Sequence, residues 1–423
     1  MSVAQETVNI AGAASGSDGQ DVQHQRRHLL FLSHCVPNPP QKGEKIRAYH
    51  VLVRLAEKYS VHLACFAKRR SEVEDARQLE ACCSSVYVEP LPRTLALSRA
   101  ALRFGMGGCL TTSFFGSEGI RRHVESLRRF PISATIAYTS AMAQYGPIDI
   151  PMILDMVDVD SEKWLEYSRM RWPGWAYRLE SQRLRRLERE YAERAKCTFF
   201  STLPEKNLFQ GFAPKPRTMC LENGVNFDYF DPVLSPATTD LRGRNYVVFV
   251  GEMDYYPNVD ASCWFAKNIF AEVRNRHPDL EFFIVGRNPA AAVRRLAEQD
   301  GIIVTGTVAD IRPFVSSARA TVAPLRIARG IQNKVLEALA LGKPVLASSA
   351  VSKTFGSDLP TGVIPCSSER EFISVLEDVC SHSFKPDPRI REEVRNRFTW
   401  DKNCQALLLE LETMASSTDG PKT

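Results

Sequence analysis

The sequence predicts an α/β protein made of two doubly wound domains that face each other across a cleft. Short apolar runs rich in β-branched residues recur along the chain with helix-like stretches between several of them, as expected for buried parallel strands. The pattern restarts after a polar, proline-containing stretch at residues 231–245. A chain of 423 residues is also too long for one hydrophobic core. Strands that alternate with helices imply right-handed crossovers and sheets covered on both faces.

The apolar runs assign strands to both predicted domains. In the first domain they are residues 28–34, 59–67, 84–91, 134–140, 151–158, 197–202 and 218–225. In the second they are residues 246–253, 280–286, 302–307, 319–325, 344–349 and 362–368. We therefore predict a disordered tail at 1–27, an N-terminal domain at 28–230, a linker at 231–245, a C-terminal domain at 246–397, a closing helix at 398–414 and a second tail at 415–423. Ligands of such sheets bind at the carboxyl ends of the strands, so the loops there are where a site is expected.

The composition restricts the class of protein. The net charge of +5 is mild, which argues against a nucleic-acid partner but suits an anionic small ligand or an anionic membrane face. The eleven cysteines form no Cys-x-x-Cys pair, so we expect neither a zinc site nor a disulfide framework and predict a reduced, cytoplasmic protein. No apolar run reaches the roughly 18 to 20 residues that span a bilayer, and the predicted N-terminal tail lacks the apolar core of a signal peptide.

Two familiar nucleotide-binding motifs are missing from the sequence. The glycine-rich segment at 104–110 lacks the third glycine of a dinucleotide fingerprint and follows no predicted strand, so we interpret it as a turn. Gly342 and Lys343 are followed by Pro344 instead of the serine or threonine of a phosphate-binding P-loop. Dehydrogenase and P-loop functions are therefore disfavoured.

The segment from Leu325 to Ser349 has the features of an anion site. A predicted strand ends there, Gly330 permits an unusual backbone turn, and a helix follows at 333–341. The free N–H groups and the positive dipole end of such a helix point towards a ligand. Arg326, Arg329 and Lys334 would add positive charge at the same place.

One carboxylate accompanies these positive charges. Glu337 lies one helical turn beyond Asn333 and Lys334, so the three side chains project from nearby positions of one face. A carboxylate can accept hydrogen bonds from both hydroxyls of a ribose while the cations hold a diphosphate, which together describe a nucleoside diphosphate. A solvated helix start with an ordinary lysine–glutamate pair is the alternative.

Four segments of the sequence resemble the retaining family 4 (group 1) glycosyltransferases. They are GIQNKVLEALALGKPVLAS at 330–348, PNPPQKGEKIRAYHVLVRLAEKYSVHL at 37–63, LENGVNFDYFDP at 221–232 and FVGEMDYYPNVDASCWF at 249–265. The segment DMVDVDSEKWLEYS and the segment ARGIQNKVLEAL, which overlaps the first of these four, are similar to the glycosyltransferases associated with exosortase (PEP-CTERM) exopolysaccharide clusters. The resemblance implies a GT-B fold, with an acceptor-binding amino domain and a sugar-nucleotide-binding carboxyl domain.

The resemblance also implies roles for single residues of the carboxyl domain. Glu337 matches the acid that binds the donor ribose, whereas Arg329 stands where relatives have an acid that contacts the donor sugar. The basic pair that many relatives carry after the first strand is not present at 251–258. We infer that Arg329 and Lys334 stabilise the leaving group instead. The other predicted donor contacts are Gly251, Val308 (through its backbone, to the base), Arg326, Gly330, Gln332 and Asn333.

Other polar positions allow two readings each. Asp310, near Val308, is an N-cap candidate for the next helix as well as a ligand candidate. Gly43 occupies the glycine loop that is implied to approach the phosphate and the reacting sugar. Glu44 and Arg47 open the following helix and are candidate substrate contacts, although an acid at that place can simply compensate the helix dipole.

The acidic run Asp155, Asp158 and Asp160 is the most ambiguous feature of the sequence. Relatives usually have a histidine after this strand and none is present here, so we interpret Asp155 and Asp158 as candidate catalytic groups. Asp158 and Asp160 also have the Asp-x-Asp form that binds Mg²⁺ or Mn²⁺ in another glycosyltransferase fold. We predict that no metal or other cofactor is needed, and restoration of EDTA-treated enzyme by Mn²⁺ would favour the metal alternative.

Two helical segments have both a structural and a functional interpretation. Residues 169–196 are rich in arginine with Trp172 and Trp175 at their start, which fits either a solvated helix or peripheral contact with anionic lipid. The closing helix at 398–414 resembles the terminal helix that returns to the amino domain in this fold, although its leucines also fit plain packing.

The sequence therefore predicts a cytoplasmic, metal-independent hexosyltransferase, peripheral at the inner face of the membrane. The expected donor is a UDP- or GDP-sugar, the expected acceptor is a lipid-linked glycan, and no nucleic acid is expected as a partner. A sugar-nucleotide epimerase of the same fold and a non-catalytic sugar-nucleotide-binding protein are the two alternatives.

Overall fold

The computed structural model describes residues 26–41, 43–235, 239–381 and 387–416. Most of the predicted tails and residues 236–238 of the predicted linker therefore lie outside the described part. The chain forms two compact units. Among the described residues, the N-terminal unit contains 26–41, 43–201, 205–221 and 404–416, and the C-terminal unit contains 202–204, 222–235, 239–381 and 387–403. The C-terminal unit thus begins ahead of the predicted linker, and the closing helix starts in one unit and ends in the other.

The N-terminal unit is built on a parallel sheet whose strand order is β3-β2-β1-β4-β5-β6-β7. The strands are β1 (His28–Ser33), β2 (Ser60–Ala67), β3 (Ser85–Pro90), β4 (Ile132–Tyr138), β5 (Met152–Val157), β6 (Cys197–Phe200) and β7 (Thr218–Cys220). The helices are α1 (Gly43–Lys58), α2 (Ser71–Arg77), α3 (Arg93–Gly105), α4 (Leu110–Phe114), α5 (Glu118–Ser126), α6 (Asp160–Met170), α7 (Gly174–Arg194) and α8 (Leu203–Phe212).

The C-terminal unit repeats this design with the strand order β10-β9-β8-β11-β12-β13. Its strands are β8 (Tyr246–Val250), β9 (Glu281–Val285), β10 (Ile302–Gly306), β11 (Ala320–Ala323), β12 (Val345–Ser348) and β13 (Val363–Cys366). Its helices are α9 (Tyr256–Phe265), α10 (Ala271–Arg276), α11 (Ala291–Leu296), α12 (Arg312–Ser317), α13 (Asn333–Ala340), α14 (Ser349–Ser352), α15 (Glu369–Ser381) and α16 (Pro388–Arg397), and α17 (Trp400–Ser416) closes the described chain.

All predicted strands are present, and the prediction of two doubly wound α/β domains is confirmed. The central strands are buried on both faces, which explains why they appear in the sequence as continuous apolar runs without alternation. The glycine-rich segment at 104–110 is a turn between α3 and α4, as predicted, and Gly107 has a φ of 94°. No described helix is both long enough and apolar enough to cross a membrane.

Each sheet has one position where the chain reverses its direction of growth. In the N-terminal unit it lies between β1 and β4, and in the C-terminal unit between β8 and β11. The loops that leave the carboxyl ends of two such strands turn to opposite faces of the sheet and open a crevice between them. Two candidate sites are therefore defined by topology before any side chain is considered.

Candidate functional site

Three side chains and one glycine meet at the switch point of the C-terminal sheet. The Lys334 Nζ on α13 donates a hydrogen bond of 2.7 Å to the Oδ1 of Asn258 on α9. The same ammonium lies 4.3 Å from the centroid of the Phe249 ring on β8. A Cβ added at Gly251, just after β8, would stand 3.0 Å from this Nζ and 2.7 Å from the Asn258 Nδ2. Only glycine therefore leaves room for the lysine to reach the carboxyl end of β8.

The loop after β11 has the conformation that its sequence predicts. Gly330 has a φ of 62°, which a residue with a side chain rarely adopts. The Gln332 Nε2 donates to the carbonyls of Arg329 at 3.1 Å and of Gly330 at 3.3 Å, so the loop is tied to itself. α13 then begins at Asn333 and buries Leu336 and Leu339 in the core. Its other side, which is only partly buried, carries Lys334 and Glu337.

Asn333 is held from a second segment of the same unit. The Asn223 Nδ2 donates to the Asn333 Oδ1 at 2.9 Å, and Asn223 belongs to the Asn-Gly-Val segment that the sequence singled out. The Nδ2 of Asn333 is buried and has no hydrogen-bond partner among the described residues. A buried amide donor without a partner costs free energy, so this group is available to an acceptor such as a phosphate or ribose oxygen.

The pKa values of Lys334 and Glu337 are both shifted from their usual values. Burial lowers the pKa of Lys334 to about 7, although the charge of Glu337 opposes the change. Burial raises the pKa of Glu337 to about 7, although the charge of Lys334 opposes that change in turn. Perturbed pKa values of this kind cluster at functional sites because the protein places charged groups there without full solvation. Both residues are thus prepared to respond to a charged ligand.

Donor binding is expected to be strongest near pH 7. A diphosphate beside Lys334 favours the ammonium, so binding takes up a proton above pH 7 and weakens there by up to about tenfold per pH unit. A ribose beside Glu337 favours the carboxylate, so binding releases a proton below pH 7 and weakens there likewise. Calorimetric titration with UDP-glucose or GDP-mannose at a series of pH values measures the fall of affinity on both sides of pH 7. Neither compound titrates in this range through its own diphosphate diester.

Two substitutions separate the alkaline part of this pH dependence from the acidic part. Lys334→Met should remove the loss of affinity above pH 7, and Glu337→Gln should remove the loss below pH 7. The remaining pH dependence should shift, because the charge of the substituted residue no longer opposes the effect of burial on its neighbour. An affinity that stays constant between about pH 5.5 and 8.5 in the unsubstituted protein would contradict the assignment of both groups to the donor site.

Arg326 was predicted to join this group, but in the structure it is paired with an acid. Its guanidinium forms a two-pronged ion pair with Asp260 on α9, with an Nε–Oδ2 distance of 2.8 Å, and 55% of its side chain is exposed. The neighbouring acid was overlooked because it lies 66 positions away in the sequence. Arg326 is therefore not an uncompensated charge for a diphosphate. Arg329 is partly buried in the loop before α13, and its role stays a prediction.

The loop after β9 carries a cation that was not predicted from the sequence. Arg287 follows β9 and forms an ion pair with Glu252, the residue after Gly251. Its backbone carbonyl also accepts a hydrogen bond of 2.9 Å from the N–H of Met253. The signal was present, since an arginine directly after a predicted parallel strand lies at the ligand-binding edge of the sheet.

The loop after β10 is consistent with the structural interpretation of Asp310. The Asp310 Oδ1 accepts a hydrogen bond of 2.9 Å from the N–H of Arg312, the first residue of α12, and both carboxylate oxygens bind the Arg312 guanidinium. The carboxylate is thus occupied with organising the helix start. Val308 packs against the apolar core of its unit, and its predicted backbone contact with a base remains a prediction.

In the N-terminal unit, the predictions for Asp155 and Arg47 are wrong. The Arg47 Nε and Nη2 donate to the two carboxylate oxygens of Asp155 at 2.9 and 2.7 Å, and its Nη1 donates to the Leu221 carbonyl at 2.6 Å. Both side chains are only 1% exposed. A buried carboxylate whose oxygens are both engaged cannot contact a substrate, so this pair is structural. The sequence could not show it because the two residues lie 108 positions apart.

Asp158 remains a candidate. It lies just after β5, it is partly exposed, and its Oδ1 accepts a hydrogen bond of 2.6 Å from the Ser201 hydroxyl. The backbone is unusual at this edge of the sheet, since Val157 and Thr139 have φ values of 69° and 73°. β-Branched residues rarely adopt positive φ, and such strain concentrates at functional sites. Both outliers lie at the carboxyl ends of the adjacent strands β4 and β5.

Glu44 is engaged inside its own unit. Its carboxylate contacts the His34 Nε2 at 3.1 Å and the Lys68 Nζ at 3.2 Å. Burial alone would raise the pKa of Glu44, but the hydrogen bond and charge of His34, together with Lys68, hold it below its usual value. The predicted direct substrate contact is thus better described as a group that orients His34. A Cβ at Gly43 would contact nothing within 4 Å, so packing within the protein does not require this glycine.

His34 was missed by the sequence analysis. It follows β1 directly at the switch point of the N-terminal sheet, and its ring stacks on that of Tyr138 with centroids 5.4 Å apart. Its Nδ1 is buried and has no hydrogen-bond partner among the described residues. The sequence places this histidine at the end of the first apolar run, so the rule about strand ends could have identified it.

The structure adds nothing in favour of the metal alternative. Among the described residues, no group of three or more histidine, cysteine and acidic side chains could hold an ion. The Asp158 carboxylate is bound by Ser201, and burial together with Asp158 raises the pKa of Asp160. Independence from metal stays a prediction for the chelation experiment.

Comparison with known proteins connects this geometry to a class. Residues 244–380 match the family model of the glycosyl transferases group 1. Sucrose-phosphate synthase from Thermosynechococcus elongatus is similar in structure, with a TM-score of 0.66 and 13% identity over 92% of this chain and 100% of that chain. Anabaena HepE, crystallised in complex with UDP and glucose, has a TM-score of 0.61 and 14% identity over 92% and 100%. The trehalose 6-phosphate synthase from Burkholderia multivorans has a TM-score of 0.63 and 11% identity over 93% and 100%.

No curated protein matches the sequence. At these identities the structural likeness shows the fold, which is GT-B with two Rossmann-like domains. The matched residues, 244–380, include Gly251, Lys334 and Glu337.

Proposed function

We propose that this protein transfers a hexosyl unit from a UDP- or GDP-sugar to a glycan acceptor with retention of configuration. The acceptor is a lipid-linked glycan in exopolysaccharide or cell-surface polysaccharide synthesis. One observation carries the proposal. At the switch point of the matched unit, Lys334 is held against Gly251 while Glu337 lies one turn further along α13.

The chemistry of this arrangement suits a nucleoside-diphosphate leaving group. Negative charge grows on the diphosphate as the bond to the sugar breaks, and an ammonium held in a partly desolvated place stabilises that charge more than water does. The Asn333 amide and the N–H groups at the start of α13 add donors at the same end. Glu337 supplies an acceptor for two ribose hydroxyls. No protein nucleophile is assigned, in keeping with the retaining family that the sequence resembles.

A lipid-linked acceptor would place the reaction at the cytoplasmic face of a membrane. The resemblance to exosortase-associated enzymes supports an exopolysaccharide role, and the mild net charge of +5 is compatible with peripheral contact. No metal takes part in the proposed reaction. Both UDP-sugars and GDP-sugars are proposed donors.

Thermal-shift screening followed by a transfer assay tests the proposal. A sugar nucleotide that binds only the folded state raises the melting temperature, and a concentration of 100 times Kd stabilises by about 2.7 kcal/mol. We expect a UDP- or GDP-sugar to do so and an ADP-sugar to have less effect. Incubation with that donor and a lipid-linked glycan should then release nucleoside diphosphate and extend the glycan. A failure of every activated sugar to shift the melting temperature would overturn the proposal.

The same assay distinguishes the two alternatives. An epimerase would alter the sugar and release UDP without any acceptor. A non-catalytic binding protein would show the thermal shift but no turnover with any acceptor. Either result would replace the proposed function.

A further inference from the structure

Two neighbouring segments of the N-terminal unit expose large apolar side chains. On α3 these are Leu95, Leu97 and Leu102, with Met106 directly after the helix, and at the α6–α7 junction they are Met170, Trp172 and Trp175. Trp172 is 92% exposed and Met106 is 78% exposed. Single exposed apolar residues are common on proteins, but in the described chain half of the large exposed ones fall in these two segments. We call this surface, residues 93–106 and 169–178, the apolar-basic surface.

Two of the three exposed leucines of α3 lie on one side of the helix. Leu95 and Leu102 are spaced i and i+7, which brings them to one side of α3, and Met106 directly follows the helix. Ala96 and Ala100, the residues that α3 buries, are small. The helix thus turns its small residues inward and its large apolar residues outward, which is the reverse of an ordinary surface helix.

Hydrogen bonds hold the two segments beside each other. The Arg183 Nη1 on α7 donates to the carbonyls of Phe104 at 2.7 Å and of Gly108 at 2.8 Å. The buried Glu180 accepts from the N–H groups of Leu110 at 2.6 Å and Thr111 at 2.8 Å. Trp175 lies about 8 Å along α7 from Glu180, given a rise of about 1.5 Å per residue. The end of α3 is therefore held at Arg183, which lies about 12 Å along α7 from Trp175.

The charge of this surface has one sign. Residues 91–117 and 167–179 contain no aspartate or glutamate, while arginines stand at 93, 99, 103, 169, 171 and 178. Arg99 is used internally, since it donates to the Ser113 and Phe114 carbonyls at 3.1 and 2.8 Å. The other five arginines, Arg93, Arg103, Arg169, Arg171 and Arg178, are exposed.

We propose that the apolar-basic surface binds an anionic lipid bilayer, with the tryptophans at headgroup depth and the arginines against the lipid phosphates. Tryptophan and arginine are the residues that suit this boundary, since one end of each is apolar and the other polar. Anionic headgroups supply the negative charge that is missing from both segments. A second copy of the chain fits poorly, because a symmetric contact would place arginines against arginines.

This inference rests on the proposed function for its purpose, which is to bring the enzyme to a lipid-linked acceptor. The binding itself requires neither donor nor acceptor. Donor affinity depends on the C-terminal unit and lipid affinity on the N-terminal unit, so the two can fail separately. A protein that floats with vesicles but binds no sugar nucleotide would refute the function alone.

Vesicle flotation of the full-length protein tests the inference. We expect it to float with vesicles of phosphatidylcholine and phosphatidylglycerol, to remain unbound with phosphatidylcholine alone, and to release as salt is raised. The intrinsic tryptophan fluorescence should shift to shorter wavelength on binding. The double variant Trp172→Ala/Trp175→Ala should lower the partition coefficient by at least about tenfold, and Arg169→Gln/Arg178→Gln should weaken binding to anionic vesicles.

Matched controls keep the result interpretable. Leu234→Ala removes an exposed apolar side chain, 67% exposed, from the C-terminal unit and should leave flotation unchanged. The tryptophans are solvent-exposed, so the double variant should keep its melting temperature and its thermal shift with a sugar nucleotide. Equal flotation by the double variant, equal binding to neutral vesicles, or a concentration-dependent dimer that the double variant abolishes would each overturn the inference.

Discussion

Replacing Lys334 with methionine is expected to lower kcat by about 10²- to 10³-fold, the usual effect of removing one donor that stabilises transition-state charge. Donor affinity should fall much less at pH 7, because the charge on the diphosphate grows only as the glycosidic bond breaks. The substituted protein is also expected to melt at a higher temperature. Burial lowers the pKa of Lys334 to about 7, so the native state holds this proton less tightly than the unfolded chain does.

The sign of this stability effect depends on pH. The cost of Lys334 to the native state is complete below about pH 7 and disappears as pH rises to the ordinary lysine pKa, since the unfolded chain then also loses the proton. Melting curves of both proteins should therefore converge at high pH. Lys353→Met, at an exposed position of the same unit, is the matched control and should change neither quantity. A Lys334→Met enzyme with normal kcat would remove this residue from leaving-group stabilisation.

Replacing Asp155 with alanine is expected to lower the free energy of unfolding by about 3–5 kcal/mol, because it leaves a buried guanidinium without its counter-ion. Arg47 and Asp155 are each 1% exposed and share two hydrogen bonds. Denaturation with urea, monitored by circular dichroism, measures the loss as a lower midpoint at an unchanged slope. Enzyme that remains folded should retain its turnover, since neither side chain reaches a substrate.

Two further variants define what this loss means. Arg47→Met/Asp155→Leu should recover most of the stability, since a buried ion pair can often be replaced by apolar residues of similar volume. Glu74→Ala breaks an ion pair with Arg77 whose side chains are 68% and 67% exposed, and it should cost less than about 1 kcal/mol. Normal stability of Asp155→Ala combined with loss of transfer would restore the catalytic role that the sequence suggested.

The candidate site of the C-terminal unit was largely predictable because its parts are close together in the sequence. Gly330, Lys334 and Glu337 fall within eight positions, and the order of strand, glycine turn and helix start fixes where they lie. Gly251 was predicted from a separate segment, and the structure brings it beside Lys334. Arg287 could have been found by applying the same rule about strand ends to β9.

The wrong predictions concern pairs of charges that lie far apart in the chain. Arg326 and Asp260 are 66 positions apart, and Arg47 and Asp155 are 108 positions apart. A local sequence pattern shows that a residue is charged. It does not show which residue of opposite charge lies beside it on a neighbouring strand or helix. The engagement of Glu44 by His34 is nearer in sequence, yet it too depends on β1 ending beside the start of α1.

The sequence by itself determined that two parallel sheets form and which loops carry their polar residues, because strands buried on both faces must be apolar throughout. Only the tertiary structure decided which of those charged side chains form ion pairs with each other, because the strand order determines which loops lie side by side. Burial then turned Lys334 and Glu337 into responsive groups and made Arg47 and Asp155 a structural pair. The exposure of Trp172 was likewise a result of packing, because a tryptophan is apolar enough for either side of a protein surface.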